Sequence, residues 1–389
     1  MICSPFFKSW GMKSNYRRIG EHIRLVDERN KGLYVHQLLG LSISKQFIPS
    51  VANIIGTDME NYKVIRKNQF ACSTMQVRRD KKMPVALLQE VDEAIISQAY
   101  PVFEVKDEKE LLPEYLMMWF TRSEFDREAC FHAVGGVRGS LEWEDFENLQ
   151  LPIPHIDKQR EIVKEYNVIQ HRITLNQQLI QKLEETAQAI YREWFVGGVD
   201  LENLPEGWRV GTLGDLCEYS NKRISINEIN LDTYISTENM LQNRSGIVQA
   251  SSLPLNGSVT NFEIGNILIS NIRPYFKKIW LANFNGGCSN DVLCFTPRES
   301  VPPLYLYQIL EKDNFFEYVM AGSKGTKMPR GDKKWIMNYE TIIPSNELLE
   351  KFSRTTQVFQ NYIQIKKSAN QKLTELKDLL LSKLATIEK

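Results

Sequence analysis

The sequence predicts an α+β chain. Two similar mixed α/β domains are separated by two long, antiparallel coiled-coil helices, and the halves are related as a pseudo-two-fold internal repeat. Three observations carry this prediction. The chain has 389 residues, beyond the size at which one hydrophobic core keeps growing. Its second half can be laid under its first at an offset near 190 with matches in consistent order. Each half closes on a heptad pattern long enough to need a helical partner.

The repeat is read from pairs of short matches. Tyr16-Arg17 falls on Trp208-Arg209 (16 to 208), and Ile19-Gly20-Glu21 falls near Leu213-Gly214-Asp215. Ser97 to Phe103 falls on Ser289 to Phe295. Pro113-Glu114-Tyr115-Leu116 falls on Pro303-Leu304-Tyr305-Leu306, and Phe125 on Phe315, both at 190 (113 to 303). Arg138-Gly139 falls on Arg330-Gly331 and Trp143 on Trp335, at 192 (138 to 330), a shift that a small insertion before the second Arg-Gly explains.

Residues 1–15 read as an extension, 16–155 as the first domain and 156–204 as the first helix with its linker. Residues 205–345 form the second domain and 346–389 the second helix. Phe262 to Asn271 and Ile279 to Phe284 read as strands, bounded by turns at Asn256-Gly257 and Asn285-Gly286-Gly287. Leu112 to Phe131 and Pro303 to Met320 read as helices, each opening with a proline near its first turn.

The first seam runs through Ile162, Tyr166, Ile169, Ile173, Asn176, Ile180, Leu183, Ala187, Ile190 and Trp194. Its counterpart runs through Phe352, Phe359, Ile363, Lys366, Asn370, Leu373, Leu380 and Leu384. Asn176 and Lys366 interrupt the two seams at equivalent positions, a device by which paired helices fix register. Gly197-Gly198 and Pro205 supply the stop.

At 42% apolar and 25% charged residues this is a globular composition, and its net charge of zero excludes a protein that coats nucleic acid through bulk electrostatics. Local basic clusters must supply any such contact. Arg66, Lys67, Arg78, Arg79, Lys81 and Lys82 gather in one half. Arg273, Lys277, Lys278, Lys324, Lys327, Arg330, Lys333 and Lys334 gather in the other.

No stretch has the length and apolarity of a membrane span, and no export signal opens the chain, so a cytoplasmic protein is expected. Cys3, Cys72, Cys130, Cys217, Cys288 and Cys294 are scattered without a C-x-x-C pair, which predicts reduced thiols and no bound metal. No P-loop pattern is present. The Pro-Pro of Val301-Pro302-Pro303-Leu304 reads as a loop before a helix instead of an amino-methyltransferase tetrapeptide, and Asp107-Glu108-Lys109 reads as a solvated turn. No catalytic residue is expected.

From about Tyr16 onward the chain resembles the specificity subunit of type I restriction-modification systems. The resemblance is carried by Arg138-Gly139-Ser140-Leu141-Glu142-Trp143, Pro152-Ile153-Pro154, Asn271 to Lys278 and Gly325 to Gly331, set in a globule, helix, globule, helix order. Met1 to Ser14 departs from it, having no counterpart before Trp208, and Met12 is an alternative start. The resemblance implies two target-recognition domains, each reading half of a split double-stranded DNA sequence, and helices that dock two adenine-methylating subunits. Motor-nuclease subunits join them in the full complex. It implies a non-catalytic chain, with S-adenosylmethionine, ATP and Mg bound by those partners.

The DNA-binding candidates are Arg78, Arg79, Lys81, Lys82 and Arg138 in the first domain. In the second they are Arg273, Tyr275, Lys277, Lys278, Lys324, Lys327 and Arg330. Arg273 precedes a proline, which holds the chain extended or turned, so it lies along the DNA backbone or reaches a guanine edge. Arg138 and Arg330 stand out because an Arg-Gly pair recurs in both halves. Two alternatives remain at this level: a coiled-coil scaffolding protein with incidental basic loops, and a stand-alone DNA nuclease.

Overall fold

The computed structural model describes residues 16–50, 57–135, 139–197, 199–200 and 202–386. The chain folds as two compact units, Met1–Asn176 with Ser368–Lys389, and Gln177–Lys367. The division falls inside both long helices, so each unit holds one α/β domain and a stretch of each helix. The N-terminal extension and Arg138 lie outside the described residues.

The first unit begins with β1 (Tyr16–Arg18), α1 (Ile19–His22), β2 (Ile23–Val26), β3 (Leu39–Leu41), β4 (Phe47–Pro49) and β5 (Lys63–Arg66). It continues with β6 (Phe70–Cys72), α2 (Val77–Asp80), β7 (Val85–Leu87), β8 (Glu93–Ile96) and β9 (Val102–Val105). Three helices follow, α3 (Pro113–Thr121), α4 (Ser123–His132) and α5 (Trp143–Asn148), then β10 (Gln150–Pro152) and the long α6 (Ile156–Phe195).

The central sheet is antiparallel in the order β2-β9-β6-β7, and β1 pairs with β10 to draw the ends of the domain together. Phe70 and Phe103 stack at 4.9 Å on this sheet, and Phe120, Phe125 and Phe146 complete the core. The helix expected over Leu112 to Phe131 is two helices. Arg122 is extended (φ −66, ψ 143), and the bend lets Phe120 and Phe125, on separate helices, meet at 4.9 Å in one core.

The second unit repeats this plan with β11 (Arg209–Thr212), α7 (Leu213–Leu216), β12 (Cys217–Tyr219), β13 (Arg223–Ser225) and β14 (Tyr234–Ile235). Then come β15 (Ser258–Phe262), β16 (Ile267–Ser270), β17 (Ile279–Leu281), β18 (Gly286–Cys288) and β19 (Val292–Pro297). The unit closes with α8 (Pro303–Leu310), α9 (Asp313–Ala321), α10 (Lys333–Met337), β20 (Glu340–Ile343) and α11 (Asn346–Lys383). Its central sheet, β12-β19-β16-β17, has the order of the first, and β11 pairs with β20 as β1 does with β10.

One expected strand and one expected turn differ in the structure. Phe262 to Asn271 is not one strand, because the chain turns at Gly265 (φ +90) between β15 and β16. Asn285-Gly286-Gly287 is not a turn, because both glycines enter β18 beside the parallel β14. A Cβ on Gly286 would lie 2.1 Å from the Thr233 carbonyl, so only glycine permits that approach.

Hydrogen bonds fix the true register of the repeat. Tyr115 Oη donates to Pro152 O at 3.0 Å, and Tyr305 Oη to Ile342 O at 2.9 Å. Ile19 N–H donates to Leu149 O, and Leu213 N–H to Tyr339 O. Val134 bridges Ser140, and Lys324 bridges Arg330. Across this closing segment the offset is uniformly 190 (115 to 305, 149 to 339, 140 to 330). Ser140, not Arg138, is therefore the counterpart of Arg330, and no insertion precedes the second Arg-Gly.

Trp143 and Trp335 are likewise out of step. Trp143 opens α5 and packs on Phe146 at 5.0 Å, whereas Trp335 lies inside α10 and stacks on Tyr318 at 5.0 Å, partly in solvent.

The long helices run antiparallel within each unit. In the first, Asn176 Nδ2 donates to Asn370 Oδ1 at 2.8 Å and Lys377 Nζ to Gln170 Oε1 at 3.1 Å. In the second, Glu184 lies 3.7 Å from Lys367, and Phe195 meets Phe352 at 5.1 Å. Every seam position read from the sequence is buried or half-buried. The polar residue that meets Asn176 is Asn370, one helical turn beyond Lys366.

Each helix also enters a domain core. Leu380, Leu381, Leu384 and Ala385 join the first, and Ile190, Tyr191, Trp194 and Phe195 join the second, again at an offset of 190 (190 to 380, 195 to 385).

Candidate nucleic-acid interface

In each domain one central strand leaves the sheet into a tight loop and returns as the edge strand. In the first unit β6 exits at Ser73, whose N–H donates to Pro84 O at 2.9 Å, and Thr74 O accepts the Leu141 N–H at 2.9 Å. Gln76 follows with φ +63, then α2, then Lys81 with φ +51.

In the second unit β16 exits at Ser270, whose N–H donates to Lys278 O at 3.1 Å, and Asn271 O accepts the Gly331 N–H at 3.3 Å. Arg273 follows with φ +51, then a 3₁₀ turn over Pro274–Phe276, then Lys277 with φ +50.

A second loop, the one that precedes α5 or α10, is joined to the first in both cases. Arg78 N–H donates to Gly139 O at 3.4 Å, and Arg273 N–H donates to Pro329 O at 2.8 Å. Segments far apart in sequence thus form one paired-loop platform per domain, and most of the basic candidates sit on it.

The candidates separate into outward and engaged groups. In the first domain Arg78, Lys81 and Lys82 are exposed, and Arg78 makes no ion pair among the described residues. Arg79 is held by Asp80 at 2.7 Å. Arg66, on β5, is bound by Glu28 at 2.6 Å and Glu93 at 2.8 Å, which removes it from the cluster the sequence suggested.

In the second domain Tyr275 and Lys327 are exposed. Arg330 reaches Asp291 at 3.1 Å yet remains 57% exposed, so its outer face stays available. Lys324 is paired with Asp332 at 2.8 Å. That pairing, with the N–H groups of Trp335 and Lys334, holds the Asp332 carboxyl down at about 2.

Lys277 and Lys278 are both engaged, Lys277 at the surface and Lys278 partly buried. Lys277 Nζ lies 2.7 Å from Asp313, which Arg244 also binds, and Lys278 Nζ donates to Thr237 O at 2.6 Å. Burial pushes the Lys278 pKa down. Arg273 differs from both. Its guanidinium has no hydrogen-bonding partner among the described residues, its Nε is buried and unpartnered, and it lies 6.0 Å from the Phe276 ring. Asn271 Oδ1, on the same loop, is also buried and unpartnered.

Gln76 and Asn271, neutral residues that carry no charge signal, are absent from the binding candidates read from the sequence. The described residues hold no group of three or more His, Cys, Asp or Glu placed to bind a metal. The five described cysteines are unpaired thiols, four of them buried. No described helix is long and apolar enough to cross a membrane.

Two copies of one α/β domain, each with a basic paired-loop platform and each packed on both long helices, define a tandem recognition-domain protein with helical spacers. The family model for the type I restriction modification DNA specificity domain matches residues 57–185 and again 205–375, and the chain belongs to that family.

The chain is 23% identical over 193 residues to the Type I restriction enzyme EcoDI specificity subunit of Escherichia coli, covering 48% of this chain and 42% of that protein. It is 24% identical over 148 residues to the Type I restriction enzyme HindI specificity subunit of Haemophilus influenzae, covering 38% and 32%. These matches span less than half the length of either relative. The crystal structure of the type I restriction-modification system S subunit from M. genitalium shares the fold, with a TM-score of 0.57 at 15% identity over 96% of both chains.

Proposed function

We propose that this chain is the DNA-specificity subunit of a type I restriction-modification complex, reading a bipartite target with one half-site per domain. The observation that carries it is the paired-loop platform, built on the same strand exit in both domains but furnished with different side chains. One scaffold with two sets of readers suits a split, asymmetric sequence. Zero net charge fits a reader whose affinity depends on local contacts and on partner surface. Arg78, Lys81 and Lys82 in one domain, and Arg273, Tyr275, Lys327 and Arg330 in the other, are the DNA-facing groups.

The chain supplies recognition, while methyl transfer from S-adenosylmethionine and ATP-driven, Mg-dependent cleavage belong to partner subunits. Apolar side chains left exposed on the long helices support docking of two methyltransferase subunits. In the first unit these are Val168, Leu175, Leu376 and Leu379, and in the second Leu179, Val358, Tyr362 and Ile365.

Co-expression with the cognate methyltransferase subunit, followed by adenine-methylome sequencing, tests the reading. The expected motif is interrupted, with half-sites about one helical turn apart. A short continuous motif, or adenine methylation by the purified chain alone, would overturn it.

A further inference from the structure

The register of the central sheets identifies a pair of residues that sequence comparison does not align. Phe70 pairs with Phe103 as Ile267 pairs with Phe295, and the two phenylalanines of β9 and β19 are repeat counterparts. Counting along β6 and β16 from those anchors places Ser73 on Ser270, Thr74 on Asn271 and Gln76 on Arg273. One hydrogen bond keeps this count, since the carbonyls of Thr74 and Asn271 both accept from the loop before the closing helix, whereas the N–H that meets Gly139 O is that of Arg78, two residues after Gln76, and the N–H that meets Pro329 O is that of Arg273 itself. The backbone keeps the count as well, since Gln76 (φ +63) and Arg273 (φ +51) both take the left-handed conformation. Neither side chain has a hydrogen bond to a described residue, and each is half-buried.

Non-glycine residues in this backbone region cost free energy; they persist where the surrounding structure holds them, and they cluster at functional sites. Here the two side chains differ in type while the backbone is the same. Glutamine presents a donor and an acceptor side by side, matching the N6 and N7 edge of adenine. Arginine presents two parallel donors, matching O6 and N7 of guanine.

Resting on the DNA-specificity reading above, we infer that Gln76 and Arg273 are equivalent specificity-determining residues. Gln76 reads an adenine in one half-site and Arg273 a guanine in the other.

The experiment uses the full chain co-expressed with its methyltransferase subunit, with adenine-methylome sequencing of wild type, Gln76→Gly and Arg273→Gly. Glycine suits the positive φ, so the fold is kept while the side chain is removed. For Arg273→Gly the expected result is that one G·C position of one half-site becomes degenerate, with discrimination there falling about ten- to a hundredfold and the other half-site unchanged. For Gln76→Gly the same loss is expected at an A·T position of the opposite half-site.

Glycine variants that methylate the wild-type motif with undiminished discrimination overturn the inference and make both residues turn formers. Methylation that weakens evenly, with the motif intact, assigns them to phosphates and overturns it equally. If a glycine variant melts below wild type, Gln76→Asp, which tolerates the same backbone but has no amide donor for adenine N7, and Arg273→Asn, which lacks the two parallel donors, are judged by the same outcomes. Failure of the wild-type complex to yield a bipartite motif would instead defeat the DNA-specificity reading itself.

Discussion

Asn176 and Asn370 share one hydrogen bond in the helix seam, Nδ2 to Oδ1 at 2.8 Å, and the Asn370 amide reaches on to Ile173 O at 3.4 Å. Asn176 is 4% exposed, so Asn370 is what satisfies its amide. A polar pair inside an apolar seam costs stability and fixes register. Shifting one helix by a turn would strand both amides.

The two residues therefore predict an asymmetry. Asn370→Leu leaves a buried amide without its partner and should destabilise the chain by about 1 to 3 kcal/mol. Adding Asn176→Leu removes the orphan and should recover most or all of that loss. Thermal melts of the two variants beside wild type measure it, and a single variant as stable as wild type would show that water satisfies Asn176.

Glu311, at the end of α8, gives a pH prediction. Burial raises its carboxyl to about 7 against the pull of Arg244 and the Gln188 amide. The folded state then binds a proton that the unfolded chain releases near the ordinary 4.5. Stability from this site is complete below that value and is lost as the pH rises through about 7. Glu311→Gln should flatten the melting temperature between about pH 5 and pH 7 and stabilise the protein near pH 8 by about 1 to 2 kcal/mol. An unchanged pH profile in the variant would assign the slope to other groups.

Gly286 and Gly257 separate space from conformation. A Cβ on Gly286 meets the Thr233 carbonyl at 2.1 Å, while one at Gly257 meets open space but sits at φ +99. Gly286→Ala must push β14 from β18 and should cost about 2 to 4 kcal/mol, against about 1 for the backbone strain of Gly257→Ala. Urea midpoints rank them, and equal midpoints would show that the β14 edge yields without cost.

The legible parts of this protein were those with a period or an anchor. The heptad seams have a period, because burial repeats every three or four positions, and each position named falls at a buried or half-buried site. Pro113 and Pro303 marked helix starts because proline fits the first turn. The recognition loops were not legible. From 74 to 84 the first loop is three residues longer than the second, from 271 to 278, and Gln76 and Arg273 share no chemistry. Their equivalence lives in strand register and carbonyl bonding. The same absence of register allowed Arg138-Gly139 to be laid on Arg330-Gly331, a coincidence of composition two residues out of step. Charge alone also could not show that Lys277 is paired, because Asp313, its partner, is 36 residues away in the chain.

The repeat register makes a final prediction about a fragment of residues 16–198. Such a fragment keeps the first domain and all of α6 but loses the α11 residues Leu380, Leu381 and Leu384 that complete its core. A second copy can offer replacements at the same offset of 190: Ile190, Tyr191 and Trp194. These are apolar and already fill the equivalent place in the other unit, so two fragments should pair their helices antiparallel. The seam of that dimer carries a defect. Asn370 corresponds to Ile180 at this offset, so each of the two Asn176 residues faces an isoleucine and loses its amide partner, at about 1 to 3 kcal/mol each. The dimer should therefore be weak, and Ile180→Asn, which restores an amide opposite Asn176, should tighten it by about tenfold or more, the equivalent of 1.4 kcal/mol or more. Sedimentation of both fragments across a micromolar concentration series measures this. With a methyltransferase subunit, the tightened dimer should direct methylation to an interrupted palindrome built from the first half-site. Wild-type and Ile180→Asn fragments that both stay monomeric at high micromolar concentration would show that α6 and α11 are not interchangeable, so that the repeat preserves the domain fold without preserving the helix contact.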